Sequence, residues 1–163
     1  MPRARSALAG AVAATVWGLL EPLDMRLFRH DYSDIALLGK TFTRGPWRAV
    51  GFAAHAVNGA AAGVGFYELR LRTRMSTRRL AITAAMVEHV AFFPLGALVD
   101  RYHPAHGQPG VARLFCARAF AQETLRHLVF GVVLAVLGGL GETTSEPPGR
   151  AARPEAASSV APV

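Results

Sequence analysis

Apolar residues in this chain gather into four long runs, at about 7–28, 47–69, 80–99 and 111–140, with polar and turn-forming residues collected between them. A helix of about 20 apolar residues crosses a hydrocarbon core about 30 Å thick. The pattern therefore predicts an all-α fold, an integral membrane four-helix bundle at 1–140. The second run is the most telling. Between Val50 and Tyr67 its only strongly polar side chains are His55 and Asn58, where a soluble surface helix would carry a continuous polar stripe.

The breaks between the runs are chemically marked. Glu21-Pro22 interrupts the first run; proline lacks an N–H and restrains the residue before it, so a kink or exit is expected there. Residues 29–46 form a polar connection in which Ile35 to Leu38 suits a short interfacial helix, and Trp47 opens the second run where an interfacial aromatic belongs. Pro94 should bend the third run, which closes at Asp100 before a loop rich in Gly, Pro and His. Residues 141–163 have the composition of a disordered tail, without apolar periodicity.

Charge supplies the expected topology. The chain has 18 Lys and Arg against 11 Asp and Glu, a net charge of +7. Arg70, Arg72, Arg74, Arg78 and Arg79 crowd one short loop, and basic loops stay in the cytoplasm. With four spans, both termini are then cytoplasmic, in keeping with Arg3 and Arg5. The basic residues are distributed between apolar runs and accompany no nucleic-acid-binding motif, so nucleic acid is not an expected partner. The lipid bilayer is. Arg3 and Arg5 before an apolar run resemble a signal peptide, yet Glu21-Pro22-Leu23-Asp24 follows in place of a small-residue cleavage site, so the first span is expected to be retained. Cys116 stands alone and excludes an intramolecular disulfide.

Small residues recur at helical spacing, as Gly10, Ala14 and Gly18 in the first run and Gly51, Gly59 and Gly63 in the second. Such stripes let helix backbones approach closely in lipid and suit helix pairing or a homo-oligomer. His55 shares the second stripe, and Glu21 follows Gly18 by three residues.

Ionisable residues inside membrane spans face the bundle interior and commonly mark function. Here the ionisable and polar residues are Glu21, His55 with Asn58, Glu88 with His89, and Arg118, Gln122, Glu123, Arg126 and His127 of the fourth run. At a rise of about 1.5 Å per residue these groups converge on one layer slightly outward of the membrane centre. Three readings follow. In the first, the layer is structural: Glu123 and Glu88 pair with Arg118 or Arg126, and His55 and Asn58 bond across helices. In the second it is a proton or small-ion relay of His and Glu. In the third, His55, Glu88, His89, Glu123 and His127 ligate a metal or haem. Di-iron bundles repeat Glu-x-x-His on two helices, whereas Glu123-x-x-x-His127 occurs once without a matching partner. His103 and His106 form a looser pair in the outer loop, suited to solvent or to a divalent cation. No catalytic triad, phosphate loop or dinucleotide fingerprint is present, and no cofactor is assigned.

His55-Ala-Val-Asn58, His89-Val-Ala-Phe-Phe-Pro94-Leu-Gly96 and Glu123-x-x-x-His127-Leu-Val129 resemble the corresponding segments of YagU-like proteins, small proteins of the bacterial inner membrane, one of which is linked to acid tolerance. The resemblance covers the second to fourth spans; the long polar segment after the first span differs. It implies a multi-pass protein of the bacterial inner membrane and a proton-linked role.

Overall fold

The computed structural model describes residues 2–140, so the tail at 141–163 lies outside the described residues. The elements are α1 (Arg3–Phe28), α2 (Asp34–Phe42), α3 (Trp47–Arg72), α4 (Thr77–Phe92), a single 3-10 turn (Phe93–Leu95), α5 (Gly96–Tyr102) and α6 (Ala117–Gly139). Four helical stretches are long and apolar enough to cross a membrane: α1, α3, the α4–α5 rod over Thr77–Tyr102, and α6. Their outward faces are apolar, as at Leu19, Leu23, Val57, Val87, Val90 and Val136.

Two of the expected boundaries move. First, α1 does not end at Glu21-Pro22; the helix runs through Pro22 to Phe28. The local cost of proline is offset by tertiary bonds, because the Glu21 carboxylate seats on the start of α2. Its Oε1 accepts from the N–H groups of Asp34 (2.7 Å) and Ile35 (3.2 Å), and Ser33 donates its hydroxyl to Oε2. A carboxylate at a helix N-terminus meets unsatisfied donors and the positive end of the helix dipole. The true end of α1 is Arg29, at φ +50°, whose N–H bonds Arg26 O while His30 N–H reaches Met25 O (3.1 Å), a Schellman closure built without glycine.

Second, α6 starts at Ala117, six residues after the apolar run begins. Residues 111–116 are instead held by the loops: Val111 pairs with Tyr32 in an isolated antiparallel bridge, and the Asp100 carboxylate accepts from the N–H groups of Leu114 (2.6 Å) and Phe115 (2.8 Å). The third run is interrupted by a 3-10 turn containing Pro94, at the place where the bend was expected.

The short helix in the first connection is longer than 35–38 and is not laid on the surface. Ser33 caps α2 by accepting from Ala36 N–H (3.0 Å), and Ile35, Ala36 and Gly39 are buried, against α3. Closeness is enforced by glycine: a Cβ on Gly51 would lie 2.1 Å from Ile35 O, and one on Gly39 1.9 Å from Trp47 O.

The two small-residue stripes meet each other inside the chain. A Cβ on Gly10 would lie 2.0 Å from Gly59 O, and one on Gly63 2.1 Å from Ser6 O. The α1–α3 seam thus covers the faces expected to suit a second copy. A second seam joins α4 to α6 and a third α1 to α6, whereas α3 and α4 barely touch although only residues 73–76 separate them. The core between the seams is built from alanines with Trp17, Phe66, Leu80, Phe130 and Leu134.

The connections 29–33 and 103–116 zip together across one end of the bundle. Ser33 N–H donates to Gly110 O (3.0 Å), Ala112 N–H to Asp31 O (3.0 Å), and Lys40 Nζ to Pro109 O (2.6 Å). His103 Nε2 donates to Leu37 O (3.0 Å) and lies 2.8 Å from the Thr41 hydroxyl, so His103 is part of this cap, whereas His106 is exposed.

Candidate functional site

Beneath that cap, on the α1–α6 seam, lies Arg126, with a relative exposure of 2%. All five of its N–H donors are taken. Nε donates to Asp24 Oδ2 (2.6 Å) and Nη2 to Asp24 Oδ1 (2.8 Å), a side-on bidentate pair. Nη1 donates to Asp34 Oδ2 (2.9 Å) and Glu123 Oε1 (3.1 Å), and Nη2 also to Tyr32 O (2.7 Å). Glu21 Oε1 stands 3.8 Å from Nη1. The Tyr32 ring lies under the guanidinium at 4.9 Å, a favourable cation–π separation.

The sequence makes this arrangement possible in three steps. Glu21 and Asp24 are one turn apart on α1, so both face inward. Ser33 starts α2 and places Asp34 in its first turn. Glu123 and Arg126 are an i,i+3 pair on α6. Gln122, fully buried, locks the register by donating to Asp24 Oδ1 (2.6 Å) and Tyr32 O (3.1 Å).

One guanidinium therefore faces four carboxylates. Its charge matches one of them; Glu21 is met in addition by the hydroxyl and N–H groups at the start of α2, while Asp24, Asp34 and Glu123 share the guanidinium donors. Two groups outside the four long apolar stretches carry visible electrostatic consequences. Burial alone would push the Asp34 carboxyl up, but Arg126, with His55 and the Tyr32 hydroxyl, holds it below its ordinary value. Burial pushes the Tyr32 phenol well above its ordinary value, and the charges of Asp34 and Glu123 push the same way. Tyr32 stays neutral and donates its hydroxyl to Asp34.

Three histidines border the acids. His127 Nδ1 donates to its own-helix carbonyl at Glu123 (2.9 Å) and lies 3.5 Å from Glu123 Oε2. A carbonyl only accepts, so Nδ1 carries the hydrogen in the neutral ring and Nε2 is the site that gains a proton. The His127 ring is 4.9 Å from that of His89 and 4.8 Å from Trp17. His89 Nε2 bonds the Thr124 hydroxyl (3.0 Å). His55, on α3, stacks edge-on against Trp17 at 5.1 Å. Two clefts flank this group, one of about 140 Å³ reaching Tyr32, His89 and Phe93, the other of about 180 Å³ reaching Trp17, Asp34 and His55. Glu88, Glu123 and His127 line both.

Of the residues singled out from sequence, Glu21, Gln122, Glu123, Arg126 and His127 belong to this one cluster, and His55, His89 and Glu88 border it. Asn58 is exposed on α3 at the rim of the larger cleft. Arg118 does not join: it lies in the first turn of α6 and is exposed, too near the helix end to reach a carboxylate of the layer. Of the two arginines, Glu123 pairs with Arg126 and not with Arg118. Among the described residues no group of three His, Cys, Asp or Glu side chains is placed to hold a metal ion.

Sequence reasoning missed Asp24, Tyr32, Ser33 and Asp34. Asp24 had a readable signal, the i,i+3 spacing from Glu21. Tyr32 and Asp34 carried none, because their role depends on the fold-back of α2 beneath the cap. No protein-family model, curated protein or solved structure matches the chain.

Proposed function

We propose that the chain is a multi-pass protein of a bacterial inner membrane, with both termini in the cytoplasm, and that the acid–histidine cluster around Arg126 takes up and releases protons. The Arg70–Arg79 loop supports the orientation, and the resemblance to YagU-like proteins points to the same membrane. A single observation carries the proton-linked reading. Four carboxylates surround one buried guanidinium within 3.8 Å, and His127 contacts the same Glu123.

Sites this close titrate as a unit, so gain of a proton by one shifts the others. His127 is placed to pass a proton between the two clefts, since its Nε2 is the exchangeable site and its ring lines both. The cluster is at the same time the bond between α1, α2 and α6, which couples its protonation to the packing of the bundle.

Trp17 reports on this directly, lying against both His55 and His127. The chain has 2 tryptophans, so Trp47→Phe leaves Trp17 as the sole emitter. Its emission should change sigmoidally between pH 5 and 8, where imidazole ordinarily titrates, and His127→Gln should flatten that change. Emission independent of pH across this range contradicts the proposal.

A further inference from the structure

The sparse contact between α3 and α4 leaves a groove of about 470 Å³ along the bundle, walled by small and apolar residues such as Ala61, Gly65, Ala84 and Leu134. Its upper end runs into the larger of the two clefts: Asn58, Ala62, Glu88 and Phe130 line both. An apolar channel thus ends in a small polar chamber.

Trp17 and His55, which line that chamber, each keep a buried ring nitrogen without a hydrogen-bond partner, Trp17 Nε1 and His55 Nε2. The two residues are 7% and 5% exposed. An orphaned buried donor is costly, and an indole N–H can only donate, so the missing partner is an acceptor. The wall also carries three acids, Asp34, Glu88 and Glu123, which disfavour a phosphate or carboxylate head. The rings of Trp17, His55, His127 and Phe130 also line the chamber, and suit a flat conjugated head.

We infer that the chamber and groove bind a membrane quinone, its carbonyl oxygen accepting from Trp17 Nε1 and His55 Nε2 and its apolar tail lying between α3 and α4. A neutral carbonyl supplies the acceptor without adding negative charge, and the tail covers a face that the bundle leaves open. This site does not depend on proton exchange by the neighbouring cluster.

The test uses detergent-purified Trp47→Phe protein titrated with a decyl-substituted benzoquinone, read by quenching of Trp17. Binding should saturate, and decyl phosphate, with the same tail and an anionic head, should not compete. Gly65→Leu should weaken binding at least about tenfold by filling the groove. A Cβ at Gly65 meets nothing within 4 Å, so the variant should keep its helical circular dichroism. Ala61→Leu, on the same wall, serves where Gly65→Leu does not fold. Quenching that rises linearly with quinone, or that is unchanged in both variants, overturns the site. Equal competition by decyl phosphate overturns its assignment to a neutral carbonyl head.

Discussion

Arg126 and Asp24 form a two-point pair across the α1–α6 seam, with Nε and Nη2 each donating to a separate oxygen of one carboxylate at 2.6 and 2.8 Å. No other acid in the cluster has this geometry: Asp34 and Glu123 each accept one bond from Nη1, and Glu21 stands farther off.

Asp24→Asn should therefore be the most destabilising single change in the cluster. Removing one partner of a buried ion pair costs about 3–5 kcal/mol, and Asn cannot accept both bonds of the fork. Glu123→Gln should cost less, because Glu123 accepts one bond from Arg126 where Asp24 accepts two. Thermal denaturation in detergent orders the two. A Glu123 variant less stable than the Asp24 variant would show that the i,i+3 pair dominates.

The α1–α3 seam makes a steric prediction. Gly10→Ala and Gly59→Ala should each sharply lower folded yield, since the added methyl would meet backbone at 2.0 and 2.5 Å, and small-residue seams depend on close backbone approach. Gly65→Ala, on the same helix but facing open space, should fold like the parent. Size-exclusion profiles of the three variants in detergent decide it. Equal yields would remove the seam from the account.

Asp34 and Tyr32 set the pH limits of the cap. The folded protein holds Asp34 below its ordinary value of 3.8, so its contribution is fully present above that value and lost as pH falls through the depressed folded one. Tyr32 is raised above 10.0, so its contribution is present below that value and lost as pH rises toward the folded one. The stability difference between parent and Asp34→Asn should therefore be constant near neutrality and shrink below about pH 4. That between parent and Tyr32→Phe should shrink above about pH 10. Melting curves across pH read both. A difference that persists unchanged in acid would remove Asp34 as the responsible group.

Much of this was legible in the sequence because membrane spans are written in long, coarse patterns. Four runs gave four helical stretches long and apolar enough to span, the Gly51/His55/Gly59/Gly63 stripe is buried as its spacing implied, and Pro94 sits in the 3-10 turn that interrupts the third. The failures share a cause. A kink or exit was expected at Pro22 because local propensity says so, yet Glu21 bonded to the start of α2 carries the helix past it. Val111 was read into the fourth span because it is apolar, yet it is buried against the cap by its bridge to Tyr32. Asp34 reaches Arg126 only because α2 folds back against α3, a non-local event that periodicity cannot encode. Arg118 and Arg126 share a helical face, and only the point at which α6 begins separates a rim residue from a buried one.

Proton counting tests most directly whether the buried cluster exchanges protons with solvent near neutrality. Weakly buffered, detergent-purified parent protein and a His55→Gln/His127→Gln variant, both confirmed folded by circular dichroism, are titrated between pH 8 and pH 5. The parent should bind at least about one more proton per chain than the variant over this range, because imidazole titrates there and the Gln amide does not. Superimposable titration curves would contradict this exchange and leave the cluster with a structural role alone.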